Sequence, residues 1–291
     1  MHPSVFTLAL LIAASPVMAQ NRTLTTPEAS PHARVEQTVG LTDLSVAYHR
    51  PAVRGREIYG DLVPYGEVWR AGANENTVFE TSTDVMIEGA RLEAGRYGFH
   101  TIPGANEWTI IFSTMADAWG SYSYDSQEDA LRVTVQPVTA PHAERLSYRF
   151  DMPGADGTTL VLHWERVAVP VSITIDTPAI VLASMERELR GIPRFFWEGW
   201  NQIAQYALDN ERRMDEALDW VETSIARQPT FANRMTKAGL LEALGQAAEA
   251  REVRDDAHAN ASAEEVRAWA RSRQRAGRQD QAEAALARLG G

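Results

Sequence analysis

Apolar side chains recur at every second position up to about Ile175 and at every third or fourth position beyond it. That change of period constrains the fold more than any other feature, because period two belongs to half-buried strands and period 3.6 to amphipathic helices. Before the change, Val35–Val39, Leu44–Tyr48, Val78–Thr81, Val85–Ile87, Arg96–His100, Trp108–Ser113, Leu131–Val135, Leu146–Phe150 and Leu160–Val169 read as strands. Turn residues stand between them at Glu88-Gly89-Ala90, Pro103-Gly104-Ala105-Asn106 and Asp156-Gly157. Short strands joined by hairpin turns predict an all-β antiparallel sandwich over residues 30–176. After the change, Thr177 reads as an N-cap and Pro178 as a first helical residue, and residues 177–291 predict an all-α domain.

The helical part repeats. Ala217, Ala250 and Ala282 are spaced 33 and 32 residues apart, and Gly245 and Gly277 are 32 apart. Each alanine is expected to open the second helix of a helix–turn–helix unit, where a small side chain lets helices approach closely. The pattern Trp200-x2-Ile203-Ala204-x2-Ala207, followed by Ala217-x3-Val221 and Pro229, resembles the tetratricopeptide repeat, and the match runs through Trp269-Ala270 and Leu286. Arg254 departs from it, standing where a large apolar residue is usual. The resemblance implies a helical-repeat scaffold for a protein partner.

Composition narrows the function classes. The chain has no cysteine, which excludes disulfides, thiolate nucleophiles and cysteine-ligated metals. Its 28 Lys+Arg against 39 Asp+Glu give a formal charge of −11, which disfavours nucleic acid as a partner. Residues 1–178 hold most of that excess, with 12 basic against 21 acidic side chains. The apolar run Val5–Ala14 is too short for a span of ~20 helical residues. It leads into Pro16-Val17-Met18-Ala19, so residues 1–19 predict a signal peptide cut after Ala19 and a periplasmic or secreted protein. No other stretch predicts a membrane span.

A longer pattern runs through the β part. It includes Tyr48-x-Arg50-Pro51-x-Val53-x-Gly55-Arg56-x-Ile58-x-Gly60 and Leu62-Val63-Pro64-Tyr65-Gly66-x-Val68-Trp69-Arg70-x-Gly72-Ala73-Asn74-Glu75. Thr101-Ile102-Pro103-Gly104, Glu107-Trp108-Thr109-x-Ile111-Phe112 and Leu162-His163-Trp164-Glu165 follow in order. Together these resemble the bacterial domain-of-unknown-function family numbered 2911, over roughly residues 30–175. The resemblance implies a domain of secreted bacterial proteins and no particular activity. Tyr59 and His100 stand where the family pattern leads one to expect tryptophan and an apolar residue.

Within this part the connection Arg50–Asn76 is too long and too polar for a simple linker. Arg56 and Arg70 could grip a carboxylate, phosphate or sulfate, with Trp69 and Asn74 orienting it; the competing reading is that these groups pin the loop. His163 and Glu165 alternate onto one strand face and could act as acid and base or as metal ligands; the competing reading is a hydrogen-bonded core histidine beside the apolar Val161 and Val167. The cluster Trp119-Gly120-Ser121-Tyr122-Ser123-Tyr124-Asp125 could stack on a sugar ring or close one end of the sandwich. Phe195, Phe196, Trp197 and Trp200 are expected to pack the first repeat or dock the two domains, and Arg271, Arg273, Arg275 and Arg278 to form a solvated helix face. No metal-ligand spacing, nucleophile elbow or phosphate-binding glycine loop occurs, so no metal and no cofactor is expected. Two readings follow: a non-catalytic module binding a small anionic or carbohydrate ligand beside a protein-binding scaffold, or a hydrolase or lyase working on an anionic substrate through the Arg50–Asn76 loop.

Overall fold

The structure, a computed structural model, describes residues 26–289, so the expected signal peptide lies outside the described residues. One antiparallel sheet runs in the order β1 (His32–Val39), β2 (Thr42–His49), β3 (Thr77–Thr81), β6 (Gly95–Ile102), β7 (Trp108–Ser113) and β8 (Asp129–Val135). A second runs β5 (Ala90–Leu92), β4 (Val85–Ile87), β10 (Gly157–Thr174), β9 (Val138–Asp151). Leu44, Val46, Phe79, Phe99, Ile110 and Phe112 of the first sheet and Ile87, Leu146, Leu160, Leu162 and Trp164 of the second are buried in one shared core. The expected β-sandwich is therefore present. The turn expected at Glu88-Gly89 joins β4 to β5 with positive φ at both residues (48° and 81°), the conformation whose twist suits a two-residue hairpin. β5 is not among the strands expected from alternation, because its first residue, Ala90, reads as part of the turn.

The longest strand departs from simple alternation. Up to Trp164 the core-facing residues of β10 are even-numbered (Leu160, Leu162, Trp164); beyond it they are odd (Val167, Val169, Val171, Ile173). Pairing with β9 shifts register on both sides of Glu165, whose φ is +55°. An irregularity of this kind turns every later side chain to the opposite face. Val167 therefore does not share a face with His163.

Helix α1 (Thr177–Glu188) starts one residue earlier than expected: Asp176 is the N-cap, accepting from the Ala179 N–H, and the Thr177 hydroxyl instead donates to the Ala155 carbonyl. Ile180 of α1 packs against the sandwich core. Three helical hairpins follow: α2 (Trp197–Asp209) with α3 (Met214–Arg227), α4 (Phe231–Ala243) with α5 (Ala247–Ala259), and α6 (Ala263–Arg275) with α7 (Gln279–Ala287). Ala217, Ala250 and Ala282 are buried near the start of each second helix, as their spacing predicts. At Gly239 an added Cβ would come within 2.7 Å of Leu208, so α2 and α4 approach closely there.

Two expectations for this half are corrected. Phe195 and Phe196 do not pack the first hairpin; they are 71% and 57% exposed, while Trp200 is held by its indole N–H on the Arg194 carbonyl. In the basic run, Arg271 and Arg275 are exposed, but Arg273 is buried because it finds a carboxylate partner, Asp209. Arg254 is tolerated at an apolar position of the repeat because it pairs with Glu242.

Candidate functional site

The segment 50–76 forms no strand or helix of its own, yet Val53, Ile58, Val63 and Ala71 are buried in the sandwich core. Single β-bridges tie Ala52 to Arg145 and Trp69 to Thr101. Arg50 donates to the Leu146 carbonyl, and Arg56 donates to the carbonyls of Val53 (3.1 Å) and Ala52 (2.6 Å). Arg54, Ala71 and Asn74 all have φ between 50° and 57°, a region costly for residues other than glycine. At Ala71 the carbonyl accepts from the hydroxyls of both Tyr148 (2.8 Å) and Thr77 (3.2 Å), which hold this backbone and so fix the direction of Arg70.

That fixed backbone borders a cavity of about 450 Å³. Its floor is aromatic: Trp69 and Trp164 stack with planes 22° apart, and Tyr59 and Trp108 pack edge-on behind them. Such contacts contribute about 0.5–1.5 kcal/mol each beyond burial, and they make the floor rigid. Burial also pushes the Tyr59 hydroxyl well above its ordinary pKa, so it stays protonated. Three arginines line the cavity, the exposed Arg54 and Arg56 and the half-buried Arg70. Among the described residues no carboxylate lines the cavity and none forms an ion pair with these arginines. The Arg70 Nε is buried without a hydrogen-bond partner.

The rim comes from the loop between β7 and β8. Tyr122 of that loop lines the cavity, its ring centroid 6.0 Å from Arg70 Cζ. Gly120 lies so close to Arg70 that a Cβ would come within 2.9 Å of Nη1. His100 of β6 anchors this loop through Nδ1, 2.9 Å from the Ser121 hydroxyl, and burial lowers its pKa to about 4.

The structure thus brings Arg56, Trp69 and Arg70 to one cavity and leaves the other expected residues outside it. Asn74 turns away, its amide 3.3 Å from a Glu28 carboxylate oxygen. His163 places Nε2 2.9 Å from the Pro141 carbonyl, and Glu165 accepts from the Arg166 N–H. Of the three consecutive strand residues His163, Trp164 and Glu165, Trp164 alone lines the cavity. Arg56 pins the loop through its bonds to the Val53 and Ala52 carbonyls and also lines the cavity. The cavity is also lined by Arg54 and Trp164, to which sequence reasoning assigns no binding role, and by Tyr122, read there only as part of a cluster that could stack on a sugar ring or close one end of the sandwich. For Tyr122 the signal was an aromatic cluster in a glycine- and serine-rich loop, with nothing local to connect it to Arg70, 52 positions away. No group of three histidine or acidic side chains among the described residues could hold a metal ion. No helix among them is long and apolar enough to cross a membrane.

Comparison with known families gives a match over residues 30–173 to the family described as "Protein of unknown function (DUF2911)". Residues 30–173 belong to the DUF2911 family. The match covers β1 to β10 and stops short of α1, so every arginine and aromatic of the cavity lies inside the DUF2911 domain. No curated protein and no solved structure matches the chain.

Proposed function

We propose that the DUF2911 domain of this protein is a receptor for a small anionic ligand, bound in the arginine cavity. The observation that carries this reading is three arginines around one cavity, none in an ion pair with a carboxylate among the described residues, in the more acidic half of a chain of charge −11. The buried Nε of half-buried Arg70, left without a partner, is unfavourable by about 1–3 kcal/mol. An anion entering the cavity would relieve that cost through bidentate, charge-assisted bonds. The enzyme alternative has less support here, because neither His163 nor Glu165 lines the cavity.

Inorganic phosphate tests this reading. Titrated into the full chain at constant ionic strength, phosphate should raise the melting temperature, and Arg70→Gln should abolish the rise. An equal rise in the variant, or no rise with phosphate or with any other small anion, would contradict the receptor reading.

For the helical half, the 32–33-residue alanine spacing and the buried alanines support a tetratricopeptide-like scaffold that holds a protein partner. Ile192, Phe195 and Phe196, all exposed, form an apolar patch suited to such a contact. The signal-like residues 1–19 support a periplasmic or secreted location. A pulldown from periplasmic extract with and without Phe195→Ser/Phe196→Ser tests the patch; equal recovery by both chains would remove it from the interface.

A further inference from the structure

The loop between β7 and β8 holds an arrangement that anion binding alone does not use. Trp119 and Tyr122 are 61% and 81% exposed, and their rings lie parallel, 12° apart with centroids 5.9 Å from each other. Two large aromatic rings stacked in water form an apolar shelf, and exposed apolar surface next to a cavity marks a binding surface. The shelf is held in place. His100 contacts Ser121, and the Tyr124 hydroxyl donates to the Asp129 carboxylate at 2.8 Å. It also joins the arginine cavity directly, since Tyr122 lines that cavity within 6.0 Å of the Arg70 guanidinium carbon.

We propose that the ligand is an acidic sugar, a pyranose ring bearing a carboxylate. This inference rests on the anion-receptor reading and names its ligand class. The carboxylate meets Arg70, whose buried Nε lacks a partner. The C–H face of the pyranose lies on the exposed Tyr122–Trp119 shelf, where the apolar side of a sugar finds its natural partner. Ring hydroxyls accept from the guanidinium groups of Arg54 and Arg56. A simple inorganic anion would use the arginines and leave the shelf bare. A flat aromatic acid would cover the shelf but carries no hydroxyls for the second and third guanidinium groups. An acidic sugar uses both features, and a volume of about 450 Å³ lies in the range of small-molecule sites.

The experiment is a calorimetric titration of the full chain with D-glucuronate, D-galacturonate, D-glucose, benzoate and inorganic phosphate at fixed ionic strength. At least one uronate should bind tenfold or more tightly than glucose, benzoate or phosphate. Tyr122→Ala should weaken that uronate at least fivefold and phosphate less than twofold, while Tyr122→Phe, which keeps the ring face, should bind as the parent does. Because Tyr122 is exposed, its removal does not threaten folding, and an unchanged melting temperature verifies this. Phosphate or benzoate binding as tightly as both uronates, or Tyr122→Ala weakening every anion alike, would overturn the sugar assignment and leave the anion receptor standing. Failure of every anion to bind would overturn both.

Discussion

The guanidinium of Arg273 grips the carboxylate of Asp209 with two donors across 64 residues of sequence, one of them at 3.0 Å, and so ties α6 of the last hairpin to the end of α2 in the first. Their side chains are 6% and 21% exposed, and the Arg273 Nε donates as well to Gln281 at 3.0 Å. Asp209→Ala should destabilise the chain by about 3–5 kcal/mol, because it leaves a buried cation uncompensated. Adding Arg273→Met should restore a substantial part of that loss, since removing both charges is milder than removing one. Urea denaturation of the parent, both single variants and the double variant measures the coupling; strictly additive losses would show that the pair does not act as a unit.

The hairpin turns allow a stabilising change. In α2, α4 and α6 the last turn closes with the same two bonds, from Glu211, Gly245 and Gly277 to Leu208, Glu242 and Gln274, and from the next residue to Ala207, Leu241 and Arg273. Gly245 and Gly277 hold the required positive φ of 81° and 75° as glycines, whereas Glu211 holds 54° with a side chain. Glu211→Gly should therefore stabilise the chain by about 0.5–1 kcal/mol. A higher denaturation midpoint at unchanged slope would be the signature.

Period and turn chemistry made most of the architecture legible. Apolar alternation located nine of the ten strands among the described residues, and the spacing of Ala217, Ala250 and Ala282 placed the hairpins. What stayed hidden has a common cause: it depends on partners distant in sequence. Arg273 reads as one of four surface arginines until α6 is brought to Asp209. His163 and Val167 read as neighbours because nothing in a continuous run of β-formers announces the irregularity at Glu165. The site was half visible for the same reason. Arg56, Trp69 and Arg70 lie close together in one polar loop, but Tyr122 and Trp164 reach the cavity only through the pairing of β6 with β7 and of β10 with β9.

Acid should weaken the fold through His100. In the unfolded chain this imidazole takes up its proton near pH 6.5, whereas in the folded protein burial holds the pKa at about 4. Between those values the unfolded state binds the extra proton, so stability falls as pH drops from about 7 to 4 and this contribution levels off below. The full loss is about 3 kcal/mol, at about 1.4 kcal/mol per pH unit of difference. His100→Gln should flatten the profile by roughly that amount. Urea denaturation of parent and variant at pH 7, 5.5 and 4.5 gives the difference directly, and parallel profiles would assign the acid sensitivity to other groups.

Gly120 offers a way to move Arg70 without removing it. Its φ is +75°, and a Cβ would sit 2.9 Å from Nη1 and 3.3 Å from Cδ of Arg70. Gly120→Ala therefore carries two costs: about 1 kcal/mol of backbone strain, and displacement of the guanidinium. Gly66 separates them, since its φ is +79° and a Cβ there meets nothing within 4 Å. Both alanine variants should lower the melting temperature by a few degrees. Only Gly120→Ala should also lower phosphate affinity, by at least fivefold, because an arginine moved off its carboxylate- or phosphate-binding geometry loses the bidentate bond. Equal affinity loss in the two variants would mean that loop strain, and not the position of Arg70, governs binding in the cavity.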